Sequence, residues 1–179
     1  MHKQIKDTIG WACSKFHMGQ TYGGDKPYSI HLEHVVDVLI KEGYGEDTDI
    51  LIIACLHDAI EDYKGSKHKA YRMIYNKFGQ DVADSVYNIT DELGRTRHES
   101  KSKTYAKTVQ DRKASIVKVA DRIANIKYSI ETNNIKKIEM YCDEHDGFYA
   151  VRNEYNYKLF TILERHMTSC LQILINKDR

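Results

Sequence analysis

Four side chains able to bind a metal ion or move a proton fall within six residues: His57, Asp58, Glu61 and Asp62. They follow directly on the apolar run Leu51-Ile52-Ile53-Ala54-Cys55-Leu56, a segment that belongs in a core. Ionisable groups at the edge of a core are costly unless something pairs with them, and a divalent cation is one such partner. If the segment stays helical, His57 and Glu61 lie one turn apart on one face, with Asp58 and Asp62 one turn apart beside them. A hard divalent ion takes nitrogen and oxygen donors at near-octahedral positions, so further ligands must come from other elements. Asp121 follows a second apolar run, Ile116-Val117-Lys118-Val119-Ala120, which puts its carboxylate near the core. His31 opens a helix just after Tyr28-Ser29-Ile30. The candidate ligand set is therefore His31, His57, Asp58 and Asp121.

The elements that must position these residues are helices. There is one proline among 179 residues and apolar residues recur at helical spacing, which predicts an all-α chain. A first helix is expected over 3–18, then a glycine-rich loop over 19–27. A second helix starts near Ser29 and stops at Gly43. A third, capped by Asp47 or Thr48, carries the apolar run to His57-Asp58. Helices over 67–78 and 80–90 follow. Residues 91–104 are polar and read as a mobile loop or lid. A long helix is expected over 105–130, a shorter one over 134–142 after the Asn133-Asn134 break, and a last one over 149–177. The last carries an inward stripe that includes Val151, Tyr155, Leu159, Leu163, Met167, Cys170 and Leu171.

Composition bounds the rest. A 41% hydrophobic and 30% charged chain of this length suits one globular domain spanning 1–179. With 27 basic and 26 acidic residues, the net charge of +1 gives no pull toward nucleic acid or membrane. No apolar stretch reaches the roughly 20 residues of a membrane span and the N-terminus lacks a signal-peptide core, so a cytoplasmic protein is expected. Cys13, Cys55, Cys142 and Cys170 are scattered and read as reduced, mostly buried thiols rather than zinc ligands. Oligomeric state is not legible.

The ordered set His31, His57-Asp58, Asp121 resembles the H…HD…D pattern of HD-domain metal-dependent phosphohydrolases, and within them the RelA/SpoT-type branch that includes small alarmone hydrolases. Matching stretches are His17-Met18-Gly19-Gln20, Pro27-Tyr28-Ser29-Ile30-His31, Ala54 through Asp62, Phe78-Gly79-Gln80-Asp81-Val82-Ala83, Asn88-Ile89-Thr90 and Val117 through Asn125. They cover about residues 10–130; the match over 131–179 is loose. The resemblance implies an all-α HD bundle holding one divalent ion, typically manganese, through His31, His57, Asp58 and Asp121. It implies that Glu61 and Asp62 serve water attack on a phosphoryl group, and that the substrate is a guanosine tetra- or pentaphosphate losing its 3′-pyrophosphate to give GDP or GTP. It further implies nucleotide contacts from Gln20, Tyr22, Lys118 and Asn125. Because ligating histidines must be neutral, activity is expected to fall below about pH 6.

The chain departs from the family pattern in three places. The loop that usually carries a basic run reads Thr21-Tyr22-Gly23-Gly24, Leu32 stands where a proline usually follows the first metal histidine, and Tyr128 replaces a small hydroxyl residue. Tyr22 can stack on a base but cannot pair with phosphate. Two alternatives therefore stay open: hydrolysis of another nucleotide, such as a nucleoside monophosphate or NADPH, and a non-catalytic nucleotide sensor.

Overall fold

The computed structural model describes residues 2–177. Its elements are helix α1 (Lys3–Lys15), a two-stranded antiparallel hairpin of β1 (Thr21–Tyr22) and β2 (Lys26–Pro27), and α2 (Ser29–Leu39), which runs into a π-turn over Ile40–Tyr44. Then come α3 (Thr48–Leu56), the single turn α4 (Ala59–Asp62), α5 (Lys67–Phe78) and α6 (Gln80–Ile89). The second half holds α7 (Arg97–Thr108), α8 (Arg112–Glu131), α9 (Ile135–Asp143), the short α10 (His145–Phe148), a 3-10 turn over Tyr149–Val151 and α11 (Tyr157–Lys177). The all-α reading holds; the hairpin is its one addition.

One connected cluster of buried side chains runs from Ile5 to Cys170. At its centre is α3, whose residues from Ile50 to Leu56 are all buried. A helix that is apolar on every side needs neighbours on every side, and α1, α2, α6 and α8 supply them. The second central rod, α8, packs on α2, α3, α6 and α11. Three of the four candidate ligands lie on or directly after these two helices: His57 and Asp58 follow α3, and Asp121 sits midway along α8. None of the described helices is long and apolar enough to cross a membrane.

Four boundaries differ from expectation, each for a local reason. Helix α1 ends at Lys15, and residues 19–27 fold as the hairpin. The lid expected over 91–104 is mostly helix: α7 begins at Arg97, where Thr96 accepts a hydrogen bond from the Glu99 amide at 3.1 Å and Glu99 accepts one from the Arg95 amide at 2.9 Å. That is a capping box, displaced by one residue in its return bond. The single helix expected over 105–130 is two, because Asp111 caps α8 by accepting from the Ala114 amide at 3.0 Å. The last helix starts at Tyr157 rather than 149. Buried Asn156 donates to the Val151 carbonyl at 2.9 Å and accepts from the Asn153 amide at 3.0 Å, building a tight turn in between. Tyr155 and Leu171, expected inside, are 49% and 52% exposed. Cys55 and Cys170 are buried, whereas Cys13 and Cys142 are only half-buried.

Candidate metal centre and active site

The helix carrying the apolar run stops at Leu56, and His57-Asp58 forms a turn into α4, with Asp58 at φ −98°, ψ −1°. The Asp62 amide still donates to the Asp58 carbonyl at 2.9 Å, so the one-turn relation survives the break. The turn swings Asp58 toward His57 and His31 instead of leaving it along the helix.

Four candidate ligands converge there. His31 Nε2 and His57 Nε2 are 3.1 Å apart. Asp58 Oδ2 lies 3.0 Å from His57 Nε2 and 3.7 Å from His31 Nε2. Asp121 Oδ1 lies 3.2 Å from His31 Nε2 and 3.6 Å from His57 Nε2. Donors bound at about 2.1 Å around one ion and at right angles to each other sit roughly 3 Å apart, so these spacings suit a shared divalent cation. His57 Nδ1 donates to the Ala54 carbonyl at 2.8 Å, which leaves Nε2 as the free acceptor. Two imidazole nitrogens and two carboxylate oxygens facing each other supply no donor to one another unless a cation or protons lie among them. Among the described residues, His31, His57 and Asp58 form a group that could hold a metal, with ligand atoms all within 4.8 Å of one another; Asp121, though close to both histidines, falls outside that group.

Supporting bonds aim the carboxylates. Tyr28 Oη donates to Asp58 Oδ2, and Asn125 Nδ2 donates to Asp121 Oδ1 at 2.6 Å. Asn125 stands one turn after Asp121 on α8, a spacing readable in the sequence.

The electrostatics follow from burial and from this pairing. Burial alone would lower the His57 imidazole, but the Asp58 and Asp121 carboxylates outweigh it and hold its pKa well above the ordinary value. His31 is raised in the same way, with Asp121 the larger influence after burial. Burial would raise Asp58 and Asp121, yet their imidazole partners pull both below the usual carboxylate range. The flanking carboxylates favour protonated imidazoles, so protons would compete with a cation for these nitrogens. Manganese affinity is therefore expected to fall as pH drops, the raised histidine pKa values moving the onset upward. With two imidazoles to deprotonate, the loss approaches about 100-fold per pH unit. Isothermal titration with manganese between about pH 5.5 and about pH 8 measures it. A flat profile would count against a histidine-bound ion.

A cavity of about 280 Å³ opens over the cluster. His31, Asp58 and Asp121 reach it, as do Glu61, Tyr22, Lys118 and Asn125 among the other expected site residues. Gln20 and Asp62 do not line it: Gln20 Nε2 donates to Asp62 Oδ2 at 2.9 Å, and His17 Nδ1 lies 3.1 Å from the same oxygen. His17 stacks on Tyr28 with centroids 4.4 Å apart, so this group braces the residue that holds Asp58. Glu61 faces the open mouth of the cavity, where burial in its wall and then the Asp91 and Asp58 charges raise its carboxyl above the usual range. Its Oε2 accepts from the Asp91 amide at 3.3 Å.

Sequence reasoning missed the far wall. It is built by α7, α8 and α9, which contribute Arg97, Lys101, Arg122, Lys137, Tyr141 and Glu144. Arg122 turns away from its neighbour Asp121. Its guanidinium lies between the rings of Tyr141 and Phe148, 4.9 and 4.4 Å from their centroids, and Nη2 donates to Glu144 at 3.1 Å. Glu144 also accepts from Arg97 at 2.6 Å, joining α7 to α8 and α9. Lys118 and Arg122 are each only 8% exposed and stand one turn apart beside Asp121 and Asn125. That four-residue face of α8 was the available signal.

The chain is similar to known proteins in sequence and in fold. The protein-family profile described as HD domain matches residues 11–150. The guanosine-3′,5′-bis(diphosphate) 3′-pyrophosphohydrolase of Xenopus tropicalis is 33% identical over 102 residues, covering 56% of this chain and 55% of that protein. The enzyme of the same name from Aquifex aeolicus is 32% identical over 143 residues, covering 72% of this chain and 20% of its own length. The chain thus spans about half of the first relative and a fifth of the second. A solved structure of a metazoan ortholog of SpoT superposes with a TM-score of 0.72 over 96% of both chains at 19% identity, which is a likeness of fold. With that profile matched over residues 11–150, most of the sequence, this chain belongs to the HD-domain family.

Proposed function

We propose that the chain is a metal-dependent hydrolase that removes the 3′-pyrophosphate from guanosine tetra- or pentaphosphate, giving GDP or GTP, with manganese held by His31, His57, Asp58 and Asp121. The observation that carries this reading is the convergence of those four side chains beneath a cavity that also presents Glu61 and a cationic far wall. The names of the Xenopus and Aquifex relatives supply the substrate class. The ion, when bound, polarises phosphoryl oxygens and makes a bound water more acidic.

The protein's own groups do the rest. Glu61, at the cavity mouth with a raised pKa, takes the proton of the attacking water. Oxygen of that water bonds to the phosphorus next to the 3′-oxygen, the P–O3′ bond breaks, and the departing 3′-oxygen takes up a proton as pyrophosphate leaves. Asp62 acts through Gln20 and His17 to keep Tyr28 and Asp58 in place. Lys118, whose Nζ donates to the Ile89 carbonyl at 3.3 Å, supplies positive charge to the phosphates, with Lys101, Arg97 and Lys137 across the cavity. These helix-borne cations stand in for the basic loop that the sequence lacks. Asn125 holds Asp121 and borders the nucleotide.

The test is a substrate panel: purified protein, manganese, and guanosine tetraphosphate beside a nucleoside monophosphate and NADPH. Pyrophosphate release from the tetraphosphate, abolished by chelator and by Asp58→Ala, is the expected result. Turnover confined to the other nucleotides would replace the substrate, and tight binding with no turnover would replace the enzyme by a sensor.

A further inference from the structure

Tyr22 stands in the middle of a three-ring stack. Its ring centroid is 4.9 Å from that of His31, at an interplanar angle of 31°, and 4.3 Å from that of Tyr128, at 33°. One neighbour is thus a member of the metal cluster and the other lies on α8. At the ring's edge, Tyr22 Oη donates to Asn125 Oδ1 at 3.3 Å, a long bond, while Asn125 Nδ2 is committed to Asp121. The side-chain amide at this side of the cavity therefore has both ends occupied by the protein itself.

The support that carries Tyr22 is slight. The hairpin has two paired positions, Thr21 with Pro27 and Tyr22 with Lys26. Between them Gly23 and Gly24 take φ values of +66° and +103°, open to glycine at little cost. Gly23 is pressed against Tyr128, whose hydroxyl a Cβ at position 23 would overlap. Lys26 Nζ lies 5.1 Å from the Tyr128 centroid on the same hairpin. The hairpin thus closes down on Tyr128 with its one aromatic side chain inserted beneath.

A flat slot between an imidazole and a phenol, edged by an amide and opening on a cavity with cations across it, has the chemistry that holds a nucleobase: stacking on both faces and hydrogen bonds at the rim. Here that slot is filled from within. We propose that Tyr22 is an internal occupant of the nucleobase slot, which a base must displace, and that it is the residue setting base specificity in this chain. The inference rests on the preceding reading in one respect, that the ligand is a phosphorylated nucleoside. Stacking gained by an entering base is offset by stacking lost from Tyr22, so the phosphates carry most of the affinity and bases are poorly distinguished. Removing the ring opens the slot and frees Asn125 Oδ1 for a base N–H donor.

The test is equilibrium binding of GDP and ADP to the full chain in manganese, for the wild type, Tyr22→Ala, Tyr22→Phe and Tyr128→Ser, together with KM for guanosine tetraphosphate. Tyr22→Ala is expected to bind GDP roughly tenfold more tightly, to widen the gap between GDP and ADP, and to lower KM. Tyr22→Phe keeps the slot filled and gains none of that tightening. Tyr128→Ser removes one wall of the slot and leaves Tyr22 in place, so it too gains none of that tightening. Weaker nucleotide binding by Tyr22→Ala would overturn the proposal and make Tyr22 a surface on which the substrate stacks. Unchanged GDP and ADP affinities in Tyr22→Ala would overturn it as well. Binding that follows the expected pattern without pyrophosphate release would leave the slot standing and remove only the hydrolase reading.

Discussion

Asp121→Asn is expected to lower pyrophosphate release by about a thousandfold or more, roughly 4 kcal/mol of transition-state stabilisation. The substitution is nearly isosteric, so α8 keeps its packing. What changes is the donor set: a carboxylate oxygen 3.2 Å from His31 Nε2 and 3.6 Å from His57 Nε2 becomes an amide, uncharged and a poor ligand. Asn125 Nδ2 then faces either an amide oxygen or an amide nitrogen, and in the second case the hydrogen bond that aims residue 121 is lost. Both histidines also lose a carboxylate that raises their pKa, so protons compete less for them even as the ion is held less firmly. The effect should therefore persist at saturating manganese and show as weaker binding in isothermal titration. Turnover within tenfold of wild type at saturating manganese would sink the four-ligand assignment.

Glu61→Gln should cost about 10²- to 10⁴-fold in turnover, the usual worth of a positioned general base, while manganese binding persists because residue 61 lies outside the ligand cluster. The pH profile separates this from a packing effect. Glu61 is raised above the ordinary carboxylate value by burial and by the charges of Asp91 and Asp58. The acid limb of wild-type turnover should then contain a step above the normal glutamate range, and Glu61→Gln should lose that step while keeping the limb due to the histidines. Asp62→Asn should do less damage, since Asp62 is tied to Gln20 and His17 outside the cavity. Equal losses at the two positions would reverse the assignment.

The two central rods were readable because burial on all sides leaves an uninterrupted apolar run, as in Leu51 to Leu56, or a run that ends in a carboxylate, as in Ile116 to Asp121. Asp58 and Glu61 were readable because they adjoin such a run. Helix α7 was not, because its row of Arg97, Lys101, Lys103 and Lys107 resembles a solvated loop, and only Thr104, Tyr105 and Thr108 are buried. The Thr96 and Glu99 pair was the cue available there. The start of α11 was hidden because Val151 and Tyr155 continue the helical spacing across a turn made by Asn153 and Asn156. The far wall of the cavity exists only once α7 and α9 lie against α8. Its arginines and glutamate, each ordinary in sequence, become a joined set through Glu144. Tyr28, in sequence only part of the stretch leading to His31, places its hydroxyl on Asp58.

The bond from His57 Nδ1 to the Ala54 carbonyl ties the coordinating ring to main chain rather than to a side chain. The tautomer is thus indifferent to which small apolar residue occupies position 54, and it depends instead on the final turn of α3 staying wound. If His57 Nε2 holds a cation, grip on it and local melting of that turn would be two faces of one equilibrium: removing the ion would loosen the helix end, and fraying the end would release the ion.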